Sequence, residues 1–190
     1  MKVILIRHGK TEANERSLYC GSTDLPLSPA GREELKKLRY AVSGARFATS
    51  GRKRAEETLA LLFGEQPHMV IPGFREIDFG AFEMHSYEQL KDDLAYQKWI
   101  TGDNEKNVPP GGESGAQMRA RVLSAWKQLE KTGEDWVIVT HGGVIGAVMD
   151  FLFPEEGKNR YQWQPKPGKG YCLNKTGSVW TYAPLLPKTE

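Results

Sequence analysis

The sequence predicts an α/β fold: a three-layer sandwich with a mostly parallel central sheet and helices on both faces. Three observations predict it. Residues 3–6 and 136–139 are short, continuously apolar, β-branched runs, the pattern of strands buried on both faces. Segments with helical spacing alternate with such runs, as βαβ units require. Both runs end in a polar residue and glycine, at Arg7-His8-Gly9 and Thr140-His141-Gly142-Gly143, and open α/β sheets bind ligands outside such strand ends. At 190 residues, the chain is expected to form one domain, residues 1–190.

Residues 3–6 form the expected central strand. Ser28 and Pro29 supply an N-cap and a first helical residue, and Leu35, Leu38 and Val42 share a face of the helix that follows. Residues 46–50 predict a weak strand. Residues 53–63 predict a helix through Ala55, Leu59, Leu62 and Phe63 that Gly64 stops, and residues 69–71 a short strand. Tyr87, Leu90, Leu94 and Trp99 give a roughly helical pattern over 86–100, before a polar loop at 102–112. Residues 76–113 are therefore expected to cover the active site. The longest helix spans 114–131, with Met118, Val122, Ala125 and Leu129 on one face. A buried strand at 136–139 and a helix at 144–153 follow, then a terminal hairpin of 171–173 and 178–182.

The bulk properties exclude several classes of partner. Twenty-six basic and 24 acidic side chains are interspersed and leave a formal charge of +2, too balanced for a nucleic-acid footprint. No segment approaches membrane-spanning length, and the apolar run at 3–6 is too short for a signal peptide, so no membrane partner is expected. Cys20 and Cys172 lack the spacing of a disulfide framework or metal site, which points to a reducing cytoplasm. The histidines His8, His68, His85 and His141 include no i, i+4 pair, so no metal and no cofactor is expected. His68 and His85 are expected on surface loops.

Neither strand-end histidine would mean much alone, since a single histidine there is more often a structural hydrogen-bonder. Arg7 beside His8 changes that. A planar guanidinium next to an imidazole, at a loop with free N–H groups, suits a tetrahedral dianion.

The run Leu5-Ile6-Arg7-His8-Gly9-Lys10-Thr11-Glu12-Ala13-Asn14 resembles the signature of the histidine phosphatase superfamily, which includes cofactor-dependent phosphoglycerate mutases and many small phosphatases. The resemblance continues in order at residues 19–28, 54–58, 76–80, 110–114 and 141–145. It implies that His8 is the nucleophile, that Arg7 and Arg54 bind the phosphoryl group, that His141 completes the pocket and that Glu76 is the proton donor, with Glu83 a nearby competitor. It also implies that Asn14, Cys20, Gly21 and Gly142 contact the substrate, expected to be a small phosphomonoester. Two arginines and a second imidazole can stabilise the transferred group without a metal.

Some positions depart from the family pattern. Lys10 adds a positive charge near the pocket, Arg52 is an alternative second phosphate-binding arginine, Met84 stands where glycine is frequent, and Gly146 where arginine is frequent. The segment 79–90 resembles the small branch containing α-ribazole-5′-phosphate phosphatases. Two other readings are a phosphoglycerate mutase-type phosphotransferase and a non-catalytic phosphate-binding module. The first is disfavoured by the lack of the long insertion of larger mutases, the second by the intact set of five residues.

Overall fold

The computed structural model describes residues 1–103 and 105–187. In chain order its elements are β1 (Lys2–Arg7), α1 (Glu12–Glu15), α2 (Pro29–Lys36), β2 (Arg46–Thr49), α3 (Lys53–Phe63), β3 (His68–Val70), α4 (Tyr87–Leu90), α5 (Leu94–Thr101), α6 (Gly115–Glu130), β4 (Trp136–Thr140), α7 (Gly142–Leu152), β5 (Gly170–Thr176) and β6 (Val179–Pro184). The strands form one sheet in the order β3-β2-β4-β1-β5-β6. Strands β1 to β4 run parallel, and β5 and β6 close the edge antiparallel. The mostly parallel α/β sandwich is therefore the fold of this chain.

Period-two alternation explains how helices cover both faces. Val3, Leu5, Trp136 and Ile138 pack with Met118, Val122 and Trp126 of α6 and with Val144 and Val148 of α7. Their neighbours Ile4, Ile6, Val137 and Val139 point the other way, onto Ala55 and Leu59 of α3. A third cluster, Phe82, Leu90, Tyr96 and Trp99, lies within the segment between β3 and α6. The register that matters most is Arg7 opposite Thr140. It sets His8 and His141, each the next residue, side by side at the carboxyl end of the sheet.

The structure differs from the sequence expectations at several element ends. Helix α2 stops at Lys36, so neither Leu38 nor Val42 is on its face. The chain turns off there and Tyr40 donates to the Gly168 carbonyl at 2.8 Å, while Tyr40 and Val42 join the α3-side cluster. The single helix expected over 86–100 is two, because Asp93 caps a new one by accepting from the Tyr96 N–H at 2.9 Å. Helix α7 starts two residues before the expected 144, directly at the glycines. His68 lies in β3 rather than a loop, with Nε2 2.7 Å from Glu56; His85 is exposed between elements, as expected.

Candidate active site

The adjacent ends of β1 and β4 place the His8 and His141 rings with centroids 5.1 Å apart and planes at 63°. Both rings are buried. His8 Nδ1 lies 2.6 Å from the Gly9 carbonyl. A carbonyl only accepts, so Nδ1 carries the proton and Nε2 keeps its lone pair. The Gly9 N–H in turn donates to Thr58 Oγ1 of α3 at 2.9 Å, which fixes the loop. In His141, Nδ1 accepts from Arg54 Nε at 3.3 Å, so Nε2 is the protonated atom and donates to Ser50 Oγ at 2.8 Å. Burial first, and the charge of Arg54 second, push both imidazoles well below the usual histidine pKa; Arg7 adds to this at His8. Both rings are neutral at physiological pH.

Arg54 is 1% exposed and is held by the Thr23 and Gly21 carbonyls, each 2.7 Å from one of its terminal nitrogens. Arg7 donates to the Pro165 carbonyl at 2.9 Å, and its buried Nε has no partner. Among the described residues neither guanidinium has a carboxylate at ion-pair distance. Burial depresses both arginine pKa values, partly offset at Arg7 by Glu76 and at Arg54 by Cys20 and then Glu76. A buried Arg54 and a half-buried Arg7 held by neutral acceptors make an anion hole, since a charge withdrawn from water without a counterion is costly until a ligand supplies one. Arg52 stands next to this hole: its backbone N–H shares Ser50 Oγ with His141, and its buried Nε is also without a partner.

Glu76 reaches the first turn of α7. Its Oε2 accepts from the Gly143 N–H and its Oε1 from the Ile77 N–H, both at 3.0 Å, a favourable place for a carboxylate at a helix N-terminus. A Cβ at position 143 would overlap Glu76 Oε1. The competitor Glu83 has a different place. Its carboxylate accepts from the N–H groups of Gly21, Ser22, Thr23 and Phe79 and from Thr23 Oγ1, so it clamps the loop that carries the carbonyls holding Arg54.

The remaining expected residues divide. Asn14 lines the cavity and caps α1 through Oδ1, leaving its amide NH2 without a protein acceptor among the described residues. Cys20 also lines the cavity, and burial raises its thiol pKa. The Gly21 N–H is committed to Glu83 and its carbonyl to Arg54, so it supports the site rather than offering a donor to a ligand. Gly142 opens α7 where a Cβ would crowd Gln164 and the Arg7 guanidinium. Lys10 adds no charge to the pocket, because its ammonium turns to Glu34 of α2 at 2.7 Å. Met84 has φ 61°, the left-handed conformation that glycine adopts without strain. At Gly146 any Cβ would run into the Arg160 carbonyl, which excludes arginine there in this backbone.

A cavity of about 330 Å³ opens from Arg7, Glu76 and Gly143 toward a wall of Tyr19, Phe79, Trp99 and Tyr161. Phe82 and Tyr96 instead pack with Leu90 and Trp99 into a small core of their own, and Tyr87 is half exposed. Sequence reasoning missed Ser50, Arg160, Tyr161 and Gln164. None lies in a recognisable motif; the turn signal Pro165-Lys166-Pro167-Gly168 next to the last three was the one available hint.

A family described as the histidine phosphatase superfamily (branch 1) matches residues 3–183. The chain is 29% identical over 177 residues to an adenosylcobalamin/alpha-ribazole phosphatase of Salmonella typhimurium, covering 88% of this chain and 87% of that protein. It is 29% identical to a 2,3-bisphosphoglycerate-dependent phosphoglycerate mutase of Xanthobacter autotrophicus, covering 80% and 83%. The crystal structure of the alpha-ribazole phosphatase from Shigella flexneri superposes with a TM-score of 0.86 at 28% identity, over 97% of this chain and 96% of that one.

Proposed function

The chain belongs to the histidine phosphatase superfamily (branch 1), and from that premise we propose that it hydrolyses phosphomonoesters by double displacement on His8. The observation that carries this reading is the unprotonated Nε2 of a neutral, buried His8 in a pocket where, among the described residues, Arg7 and Arg54 have no carboxylate partner. Nε2 attacks phosphorus as the ester P–O bond breaks, and Glu76 gives its proton to the departing alkoxide. Water then attacks the phosphohistidine, Glu76 takes a proton from it, the N–P bond breaks and inorganic phosphate leaves. Through both steps His141, neutral and bonded to Arg54 and Ser50, steadies the site, while the two guanidiniums face the charge on the equatorial oxygens. They supply the positive charge that a metal supplies in other phosphotransferases, so the reaction needs no metal.

Phe79 and Trp99, which line the cavity, suit a substrate with a planar organic body. That wall and the likeness to the alpha-ribazole phosphatases support an α-ribazole-5′-phosphate-like ester over phosphoglycerate. The two free thiols, Cys20 and Cys172, agree with a reducing compartment.

The experiment is to quench turnover of a ³²P-labelled aryl phosphate and recover label on the protein. An acid-labile, alkali-stable phosphoenzyme is expected from the native chain and none from His8→Ala, with phosphate release unaffected by a chelator. Turnover by folded His8→Ala, or activity lost on chelation and restored by a divalent ion, overturns the mechanism. Faster interconversion of phosphoglycerates than hydrolysis of any ester would make the protein a mutase.

A further inference from the structure

Resting on the reading of Glu76 as the proton donor, we propose that Arg121 is a positioning residue for the proton transfer: locked by Glu113, it sets the main chain on which Glu76 stands. The block at residues 110–114 ends in Glu113 and Ser114. Ser114 caps α6 by accepting from the Gln117 N–H at 3.2 Å, and Glu113 turns to Arg121 in the second turn of that helix. A guanidinium has five N–H donors, and Arg121 uses all five. Nε and one Nη2 hydrogen meet the two oxygens of Glu113, the first at 3.1 Å. The other three go to main-chain carbonyls: the second Nη2 hydrogen to Glu76 at 2.9 Å, and Nη1 to Arg75 at 2.6 Å and Gly73 at 3.1 Å.

Glu76 needs such support because it stands on irregular chain. Residues 75–79 run between short 3₁₀ turns at Pro72–Phe74 and Gly80–Phe82, so the Glu76 carbonyl lies outside any sheet or helix ladder and takes its partner from a side chain. The neighbouring groups are held in the same way. Thr140 Oγ1 donates to the Phe74 carbonyl at 2.7 Å, the Glu113 N–H to the Asp78 carbonyl at 3.0 Å, and the Asp78 N–H to Glu113 Oε1 at 3.2 Å. At the far end of the side chain the Gly143 and Ile77 N–H groups orient the carboxylate. Those two bonds aim it correctly only while the main chain below stays in place, and a displacement of about 1 Å in a reacting group costs up to roughly 10²-fold in rate. The planar fork is what this role requires, since a lysine ammonium carries three donors on one point and cannot span Glu113 and three carbonyls together.

The test compares kcat/KM for 4-nitrophenyl phosphate, whose leaving group needs little proton donation, and for benzyl phosphate, whose alkoxide depends on it. Arg121→Gln is expected to slow benzyl phosphate roughly tenfold or more while 4-nitrophenyl phosphate stays within about twofold, and Arg121→Lys should fall between it and the native chain. In a Glu76→Gln background the same Arg121→Gln change should cost benzyl phosphate less than about twofold further, because both residues act on one proton. Equal slowing of the two esters by Arg121→Gln overturns the proposal, as do losses that add in the double variant; either result makes Arg121 a brace for the fold alone. Glu113→Gln keeps an acceptor for the Asp78 N–H but loosens the fork, so it serves where circular dichroism shows Arg121→Gln unfolded. It should give the same bias at smaller size, and an unbiased loss there also overturns the role. A biased Glu76→Gln beside an unbiased Arg121→Gln defeats Arg121 alone, whereas an unbiased Glu76→Gln removes the acid itself and the role of Arg121 with it.

Discussion

The inner hollow around the two histidines and the mouth of the adjoining cavity are built in opposite ways. In the hollow, Arg54 is held by two main-chain carbonyls, His8 by Gly9 and Glu76 by two main-chain N–H groups. Among the described residues its two cations have no counterion. At the mouth, Arg160 is paired with Glu105 and Tyr161, and the walls are aromatic side chains resting on one another, as Tyr19 does on Phe79 and Trp99. Main-chain anchors keep charges fixed yet unneutralised, so the hollow trades stability for a ligand's charge. Side-chain anchors can be exchanged singly, so the mouth can change selectivity while the chemistry stays.

Substitution of an inner cation should therefore have the largest effect. Arg54→Ala is expected to lower kcat/KM on an aryl phosphate by roughly 10³-fold, read by phosphate release with circular dichroism as the control for folding. A loss below tenfold would move the role to Arg52. Glu76→Gln should slow alkyl phosphates by about 10²-fold and aryl phosphates by less than tenfold, because aryl oxides leave with little help from a proton. Equal slowing of both series would remove Glu76 as the acid, and the Glu83 clamp leaves that carboxylate no room to replace it.

The hollow also makes stability depend on pH. His8 and His141 are neutral in the fold but protonate when the chain unfolds below about pH 6.5. The unfolded state then binds more protons, so stability falls as pH falls through that value, by about 1.4 kcal/mol per pH unit for each histidine. Urea midpoints at pH 7.5 and 5.5 should show this, with a shallower dependence in His8→Gln; an unchanged slope in that variant would mean that His8 is not held neutral.

The smallest effect belongs to the outer segment. Met84→Gly relieves a left-handed residue and should stabilise by roughly 0.5–1 kcal/mol after the extra freedom of the unfolded chain is counted. Activity on aryl phosphates should not change. Met84→Ala, which keeps a Cβ at the same φ, should give no gain, and a gain equal to that of glycine would rule out strain as the cause.

The inner hollow was largely legible in the sequence. Apolar β-branched runs ending in Arg7-His8-Gly9 and His141-Gly142-Gly143 define two strand ends, and parallel pairing in register leaves their histidines no place but beside each other. Local spacing suffices there because each functional residue sits next to the strand or helix end that positions it. The outer mouth was not legible. Whether Glu76 or Glu83 faces the cavity, that Lys10 turns to Glu34, and that Arg160 enters a space bounded by residues 19, 79 and 99 all depend on contacts between segments far apart in the chain. The sequence by itself determined the sheet, its helical layers and the two histidine loops, through periodicity and local backbone chemistry. Only the tertiary structure decided which polar side chains meet at the mouth, because their partners are fixed by packing between distant segments and leave no periodic trace in the chain.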